Sequence, residues 1–375
     1  MRKEEIRGLI IYLLLIVTAL IVGFTVIQPA MRDYGPEKMS SFGFLIVVLV
    51  VAYLFNAIGL EVLHVIGATL GGYRVTSFNV FGLCFYKNQE KWKFGIRDFG
   101  GISGETKVAP KKEKTNINFL TWFPIFGFAA ELATCIVIAS IIKTTPNPEN
   151  AWLRSAALIF VLISSMIAFY NLVPLKLDSM TDGYRIRLFS KPVNVQAYNQ
   201  MLIIQEQQRL GKSVENIPVF DEITEYTAEI NMLAMYKLLE EDKYNEAIEI
   251  VDKLLENKKV LNINEYNRLI AQKLYIAILL NPIEEAKRLY NEICPVDIRR
   301  FMANDVSMPS IRAYILIAGM IEESESEVQF ANSKVEKAKK RALASQIKAE
   351  EKLLEKAIDY VYEKHPKWVK EKAAE

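Results

Sequence analysis

Glu61 and His64 stand three residues apart in the run Leu60-Glu61-Val62-Leu63-His64. On a helix both side chains share one face. The pair is most of a hydrolytic arrangement, His-Glu-x-x-His, in which two histidines four apart bind zinc and the glutamate is the general base. Here the base and the second histidine are present, and Leu60 holds the position of the first. The spacing points to metal-assisted hydrolysis with one metal ligand missing. Catalytic zinc generally has three protein ligands and an open water position, so two ligands predict weak zinc binding or none. Three groups are candidates for the vacant position. Glu61 could bind metal itself, which would consume the base. Glu131, in Ala129-Ala130-Glu131-Leu132, and Asn56, one turn before Leu60, are the others.

The elements that must position these groups read as membrane spans. Hydrophobic residues make up 51% of the chain beside 24% charged ones, and mean hydropathy is +0.13. The apolar residues concentrate in the first half. Four stretches, about 8–30, 41–70, 119–142 and 151–174, reach the ~20 apolar residues that a bilayer crossing takes. Met1-Arg2-Lys3 precedes the first, as in a signal peptide. The apolar run is too long for one and no small-x-small cleavage site follows, so a retained anchor is expected. Lysine and arginine set the orientation. Arg2, Lys3 and Arg7 precede the first span, a basic run from Arg74 to Lys114 separates the second from the third, and Lys176, Arg185, Arg187 and Lys191 follow the fourth. Both termini and the 71–117 segment are therefore expected on the cytoplasmic side. Trp122 and Trp152 open the third and fourth spans, where interfacial rings belong. His64 then lies about 10 Å, and Glu61 about 15 Å, inside the cytoplasmic end of the second span. Ionisable residues at that depth are costly and usually functional. The fourth span runs in the same direction and ends in Asn171-Leu172-Val173-Pro174, followed by Asp178 and Thr181-Asp182-Gly183. Both polar clusters converge on one membrane face.

Each feature alone is ordinary. Glu61 would be a core carboxylate, His64 a hydrogen-bonded interior histidine, Asp182-Gly183 a turn and Gly100-Gly101 a bend. In this order they resemble the site-2 protease family of intramembrane zinc metalloproteases over about 41–190. That family has a helix with His-Glu-x-x-His, then a cytoplasmic-side β-hairpin and a Gly-Gly strand, then a helix ending in Asn-x-x-Pro and Asp-Gly. Here strand-like 73–86 and 91–97, Gly100-Gly101 and Ala109-Pro110 fall between Glu61-His64 and Asn171, Asp182-Gly183. The likeness is strongest to a Gram-positive branch with an added N-terminal span and a cytoplasmic helical tail. The resemblance implies Glu61 as catalytic base and His64 and Asp182 as metal ligands, with Asp178 and Glu131 in reserve. It implies Gly100, Gly101 and Asn171 as substrate-binding, and a multi-pass protein of the bacterial plasma membrane.

The remainder is a different material. Residues 191–218 read as a linker with one short helix over about 195–211, between Pro192 and Pro218. From 219 to 375 the chain is charged, helical in period and without a span. Leu238 to Glu249 resembles the junction of a tetratricopeptide helical hairpin, and Leu279 to Ala286 repeats it weakly, at more than the usual ~34-residue spacing. The mixed charges of 321–355 are a solvated face rather than a nucleic-acid site, and net charge +2 adds no such signal. Cys84, Cys135 and Cys294 lack metal spacing and form no disulfide framework. His365 has no ligand partner nearby in sequence. No Gly-x-Ser-x-Gly or second membrane histidine supports a serine triad.

The expected fold is mainly α. It comprises an N-terminal span in 1–40, a core in 41–190 with a cytoplasmic-side β-hairpin insertion at 72–110, the linker, and a soluble tetratricopeptide-like domain. The first functional reading is a non-catalytic protease relative that grips a transmembrane protein client and reports through a protein partner of the tail. A zinc-dependent intramembrane protease with altered ligands is the second. An accessory subunit of a transport or export complex is the third.

Overall fold

Long apolar runs with few charges make the longest helices of the first unit, Met1–Val195, while the second, Gln196–Glu375, is built mostly from shorter, more polar ones. The computed structural model describes residues 3–29, 42–88, 91–96, 104–111, 115–144, 151–175, 180–212, 214–340 and 344–368. The fold is mainly helical, with one small antiparallel sheet.

In the first unit, α1 covers Lys3–Val22 and runs on into a π-helical turn at Gly23–Ile27. Helices α2 (Phe42–Leu70), α3 (Ile117–Thr144) and α4 (Ala151–Leu172) follow. All four are long and apolar enough to cross a membrane. Only 6–28% of each apolar window is buried within the protein, so most of that surface needs an apolar surrounding. Where helices meet they pack closely, as at Ala52 of α2 and Ile159 of α4, both fully buried.

Between α2 and α3 lie β1 (Tyr73–Val80), β2 (Leu83–Asn88), β3 (Lys91–Ile96) and β4 (Glu105–Pro110), in the order β3-β2-β1-β4 with every pairing antiparallel. The strand-like stretch 73–86 is two strands, and the expected hairpin is part of a four-stranded sheet. Phe81 and Gly82 adopt φ of 52° and 80°, the two positive values that a tight two-residue hairpin turn requires. Strand β1 doubles back along α2 until the Phe81 ring is 6.0 Å from that of Tyr53. Tyr53 lies about 25 Å up the helix from Leu70, at ~1.5 Å per residue. Eight extended residues span a similar length at ~3.3 Å each, so the hairpin tip lies beside the middle of α2 and not at its Leu70 end. Cross-strand partners Phe85 and Phe94, and Leu83 and Ile96, are exposed. With Val62 and Val65 of α2, the residues Val75, Phe78, Phe85 and Trp92 line an apolar groove of about 420 Å³.

After α5 (Asp182–Phe189), helix α6 (Pro192–Arg209) crosses from the first unit into the second. It overlaps most of the helix expected over about 195–211. The second unit continues with α7 (Glu225–Glu240), α8 (Tyr244–Glu256), α9 (Ile263–Leu280), α10 (Ile283–Ile293), α11 (Val296–Asn304), α12 (Met308–Met320), α13 (Glu325–Asn332), α14 (Val335–Lys339) and α15 (Ala344–Lys364). Helix starts are marked by capping boxes, Thr224 with Thr227 on α7 and Asn262 with Glu265 on α9. Helices α7 and α8, α9 and α10, and α12 and α13 form successive hairpins around one core that includes Met235, Leu274 and Leu316. The third hairpin turns at Ile321-Glu322-Glu323-Ser324, where Glu323 has φ 51°. The 18-residue α9 and the 257–262 connection before it separate the first two turns, and α11 is interposed between the second hairpin and the third. His365 stacks on Trp368, ring centroids 4.0 Å apart.

Asp305, ahead of α12, accepts from Arg268 Nε (2.9 Å), Ser307 Oγ (2.8 Å) and Ser310 Oγ (2.7 Å). Burial alone would raise its carboxyl, but the bonds from Arg268, Ser310 and Ser307 outweigh burial and hold it below the usual carboxylate range. The folded value is the lower one, so its stabilisation is complete above the unfolded value of ~3.9 and is lost as pH falls through the folded value. Asp305→Asn should therefore lower the melting temperature at neutral pH and flatten its fall below about pH 4. An unchanged acid limb in thermal scans would contradict this.

Candidate functional site

The α4 helix stops where Pro174 can no longer continue it. The chain returns through Thr181, whose hydroxyl donates to Val173 O (2.7 Å) and accepts from Tyr184 N (3.3 Å), capping α5. This places Asp182 on the first turn of α5. Its backbone N–H donates to Asn171 Oδ1 (3.1 Å) while Asn171 Nδ2 donates to Asp182 Oδ2 (2.6 Å). One bond holds the Asp182 backbone and the other its carboxylate. Gly183 is required for this approach, because a Cβ there would lie 1.8 Å from Leu172 O.

His64 projects from α2 to meet that carboxylate. Its Nε2 is 3.0 Å from Asp182 Oδ2 and 3.2 Å from Oδ1. Arg185 Nη1 stands 3.7 Å from Oδ1. On the other edge of the imidazole, Nδ1 is 3.7 Å from Glu61 Oε2. Glu61 in turn accepts from Thr106 Oγ1 of β4 at 2.6 Å. Gly104, just before β4, presses on the same carboxylate, where a Cβ would stand 2.3 Å from Glu61 Cγ. Glu61, His64 and Asp182 are all buried. One chain of polar contacts thus ties α2, α4, α5 and β4 together.

The structure brings Glu61, His64, Asp182 and Asn171 into one cluster. Asn171, expected to bind substrate, makes two bonds to Asp182 and acts here as a positioning residue. Glu131 is elsewhere, accepting from Ser164 Oγ of α4 at 2.7 Å. Asn56 donates from Nδ2 to Ala52 O (2.8 Å) within its own helix. Gly100, Gly101 and Asp178 lie outside the described residues. Thr106 and Gly104 were not legible as site residues, since sheet register and the path of β4 bring them to Glu61. Their nearest signal was the glycine-bearing segment itself.

The donor set can be tested against a catalytic zinc. Two ligand atoms on a tetrahedral zinc, each at ~2.0–2.2 Å, stand roughly 3.3 Å apart. His64 Nε2 and the Asp182 oxygens are near that separation. Among the described residues no third donor joins them. Leu60 shares the helix face of His64 and has no lone pair. Glu61 faces Nδ1, the ring nitrogen turned away from Asp182, and Glu131 bonds Ser164. Among the described residues no group of three or more His, Cys, Asp or Glu side chains could hold a metal ion. The described residues alone supply two of the three donors that a catalytic zinc takes.

No family model, curated protein or solved structure matches this chain.

The closeness at Gly183 gives a direct expectation. Gly183→Ala must move α5 or the end of α4 and should destabilise the first unit by about 1–3 kcal/mol or more. Gly59→Ala, where a new methyl meets nothing within 4 Å, should be neutral. Thermal unfolding of the detergent-solubilised variants compares them, and equal melting temperatures would contradict the close packing.

Proposed function

We propose that this chain is a multi-pass membrane protein of the site-2 protease type that has lost catalysis and holds transmembrane segments of other proteins. The observation that carries the reading is the Glu61-His64-Asp182-Asn171 cluster built around a position filled by Leu60. The four apolar helices, their largely uncovered surfaces and the lysine and arginine pattern support insertion in a bacterial plasma membrane with both termini cytoplasmic. The client would lie beside β4, an edge strand of the sheet among the described residues, where an extended segment can add by β-augmentation. The helical hairpins of the second unit form a tetratricopeptide-like module, and such modules bind protein partners.

Metal analysis of the purified full-length protein tests the loss of catalysis. Zinc well below one equivalent is expected. Tight stoichiometric zinc, removed by Asp182→Asn, would replace this reading with a zinc-dependent protease using altered ligands. A cysteine at exposed Lys111 tests topology: it should resist impermeant reagents added to intact cells, and labelling from outside would overturn the orientation. A stoichiometric membrane partner indifferent to mutation of Glu61 would favour an accessory subunit of a transport or export complex instead.

A further inference from the structure

Glu131 is the acidic residue of α3, in the middle of the apolar window Ile117–Lys143. It is half-buried, at the border between the side of α3 that packs on the protein and the side that does not. Ser164 Oγ donates to its Oε1 at 2.7 Å. Among the described residues nothing else bonds the carboxylate, and Oε2 is left open. The four spans hold no lysine or arginine at this depth. Arg154, the basic residue of α4, stands about 15 Å along the helix from Ser164, at ~1.5 Å per residue. Lys143 is further still along α3. A carboxylate at mid-span is costly, and such residues pair with an opposite charge or mark a functional site. One neutral hydroxyl does not neutralise it. Beside Glu131 on the uncovered side of α3 lie Ala130 and Thr134, both exposed, whose small side chains admit close approach of another helix.

We propose that Glu131 is a docking point for a transmembrane helix of another protein that carries a lysine or arginine at mid-depth. The partner helix lies against Ala130 and Thr134, and its cation meets Oε2 while Ser164 continues to hold Oε1. This places client binding on the α3 face as well as at the β4 edge. It rests on the reading of α3 as a span, but not on the state of the metal site.

The test uses full-length protein reconstituted in phosphatidylcholine vesicles with a dye-labelled leucine-alanine transmembrane peptide. The peptide carries one central lysine, or leucine at the same position. Energy transfer should give about tenfold tighter association for the lysine peptide. Glu131→Gln keeps an acceptor for Ser164 but removes the charge, and should abolish the preference. Ser164→Ala should retain it. Equal association of the two peptides, or a preference that survives Glu131→Gln, would overturn the proposal. Alkaline carbonate extraction separates the two levels. A protein released by carbonate would sink the span reading and this site together, whereas a retained protein without lysine preference would sink the site alone.

Discussion

Leu60→His is expected to raise the zinc affinity of the full-length protein by about a hundredfold to a thousandfold. Structural zinc sites with four ligands bind with apparent free energies of roughly 10–16 kcal/mol, or about 3–4 kcal/mol per ligand. At ~1.4 kcal/mol per factor of ten, one added ligand supplies two to three decades. The position is favourable because residue 60 lies four before His64 on the same face of α2. The second pair of donors is already held close: His64 Nε2 and the Asp182 carboxylate are 3.0–3.2 Å apart, and Asn171 donates to that carboxylate while accepting from the Asp182 backbone N–H. The gain must depend on both older ligands, so Asp182→Asn or His64→Ala added to Leu60→His should remove it. Competition against a chromogenic chelator measures the affinity. If Leu60→His bound zinc no better than the unmodified protein, the cluster would not be a metal site lacking a ligand, and the resemblance that motivates it would fail.

How far this site was legible in the sequence depends on how each residue is placed. Glu61 and His64 lie one helical turn apart, and helical spacing alone puts them together. Asp182 reaches them because the end of α4 and the start of α5 lie against α2, as the lysine and arginine placement led us to expect. Glu61 and Thr106 meet through the register of β4 on β1, which shifts between Val75 and Ser77 and is fixed by no short turn. Bulky Phe81 in the left-handed region is not a usual turn signal, so the stretch 73–86 read as one strand and the doubling back of β1 along α2 was hidden. Glu131 read as a candidate for the vacant ligand position, and its bond to Ser164 separates it from the Glu61-His64-Asp182 cluster. In the second unit the hairpins at 240–244 and 281–283 carried their turn residues openly. The third, at Glu322-Glu323, was masked by the charge run that contains it.

The largest stability effect is expected at Arg312, which that same reading of 321–355 as a solvated surface does not anticipate. Arg312 is fully buried in α12. Its Nε donates to Glu350 Oε2 of α15 (3.3 Å) and its Nη2 to Gln272 Oε1 of α9 (3.1 Å). The guanidinium lies 4.2 Å from the Tyr275 ring centroid, and Nη1 has no hydrogen-bond partner. Glu350 is thus the buried face of a helix whose other side is charged. Removing one partner of a buried ion pair leaves an uncompensated charge and costs about 3–5 kcal/mol. Glu350→Leu should accordingly lower the melting temperature of the helical unit by roughly 6–20 °C, at ~2–4 °C per kcal/mol for a unit of this size. The desolvation cost of the pair is large, so replacing both members should behave differently. Arg312→Met with Glu350→Leu should recover most of the loss, because α15 keeps its apolar anchors Leu353, Leu354, Ala357 and Val361. A single variant costing under about 1 kcal/mol would mean that the pair is hydrated, like an exposed one. A double variant as unstable as the single would mean instead that the bonds linking Arg312 to Gln272 and Glu350, rather than charge balance, hold α15 in place.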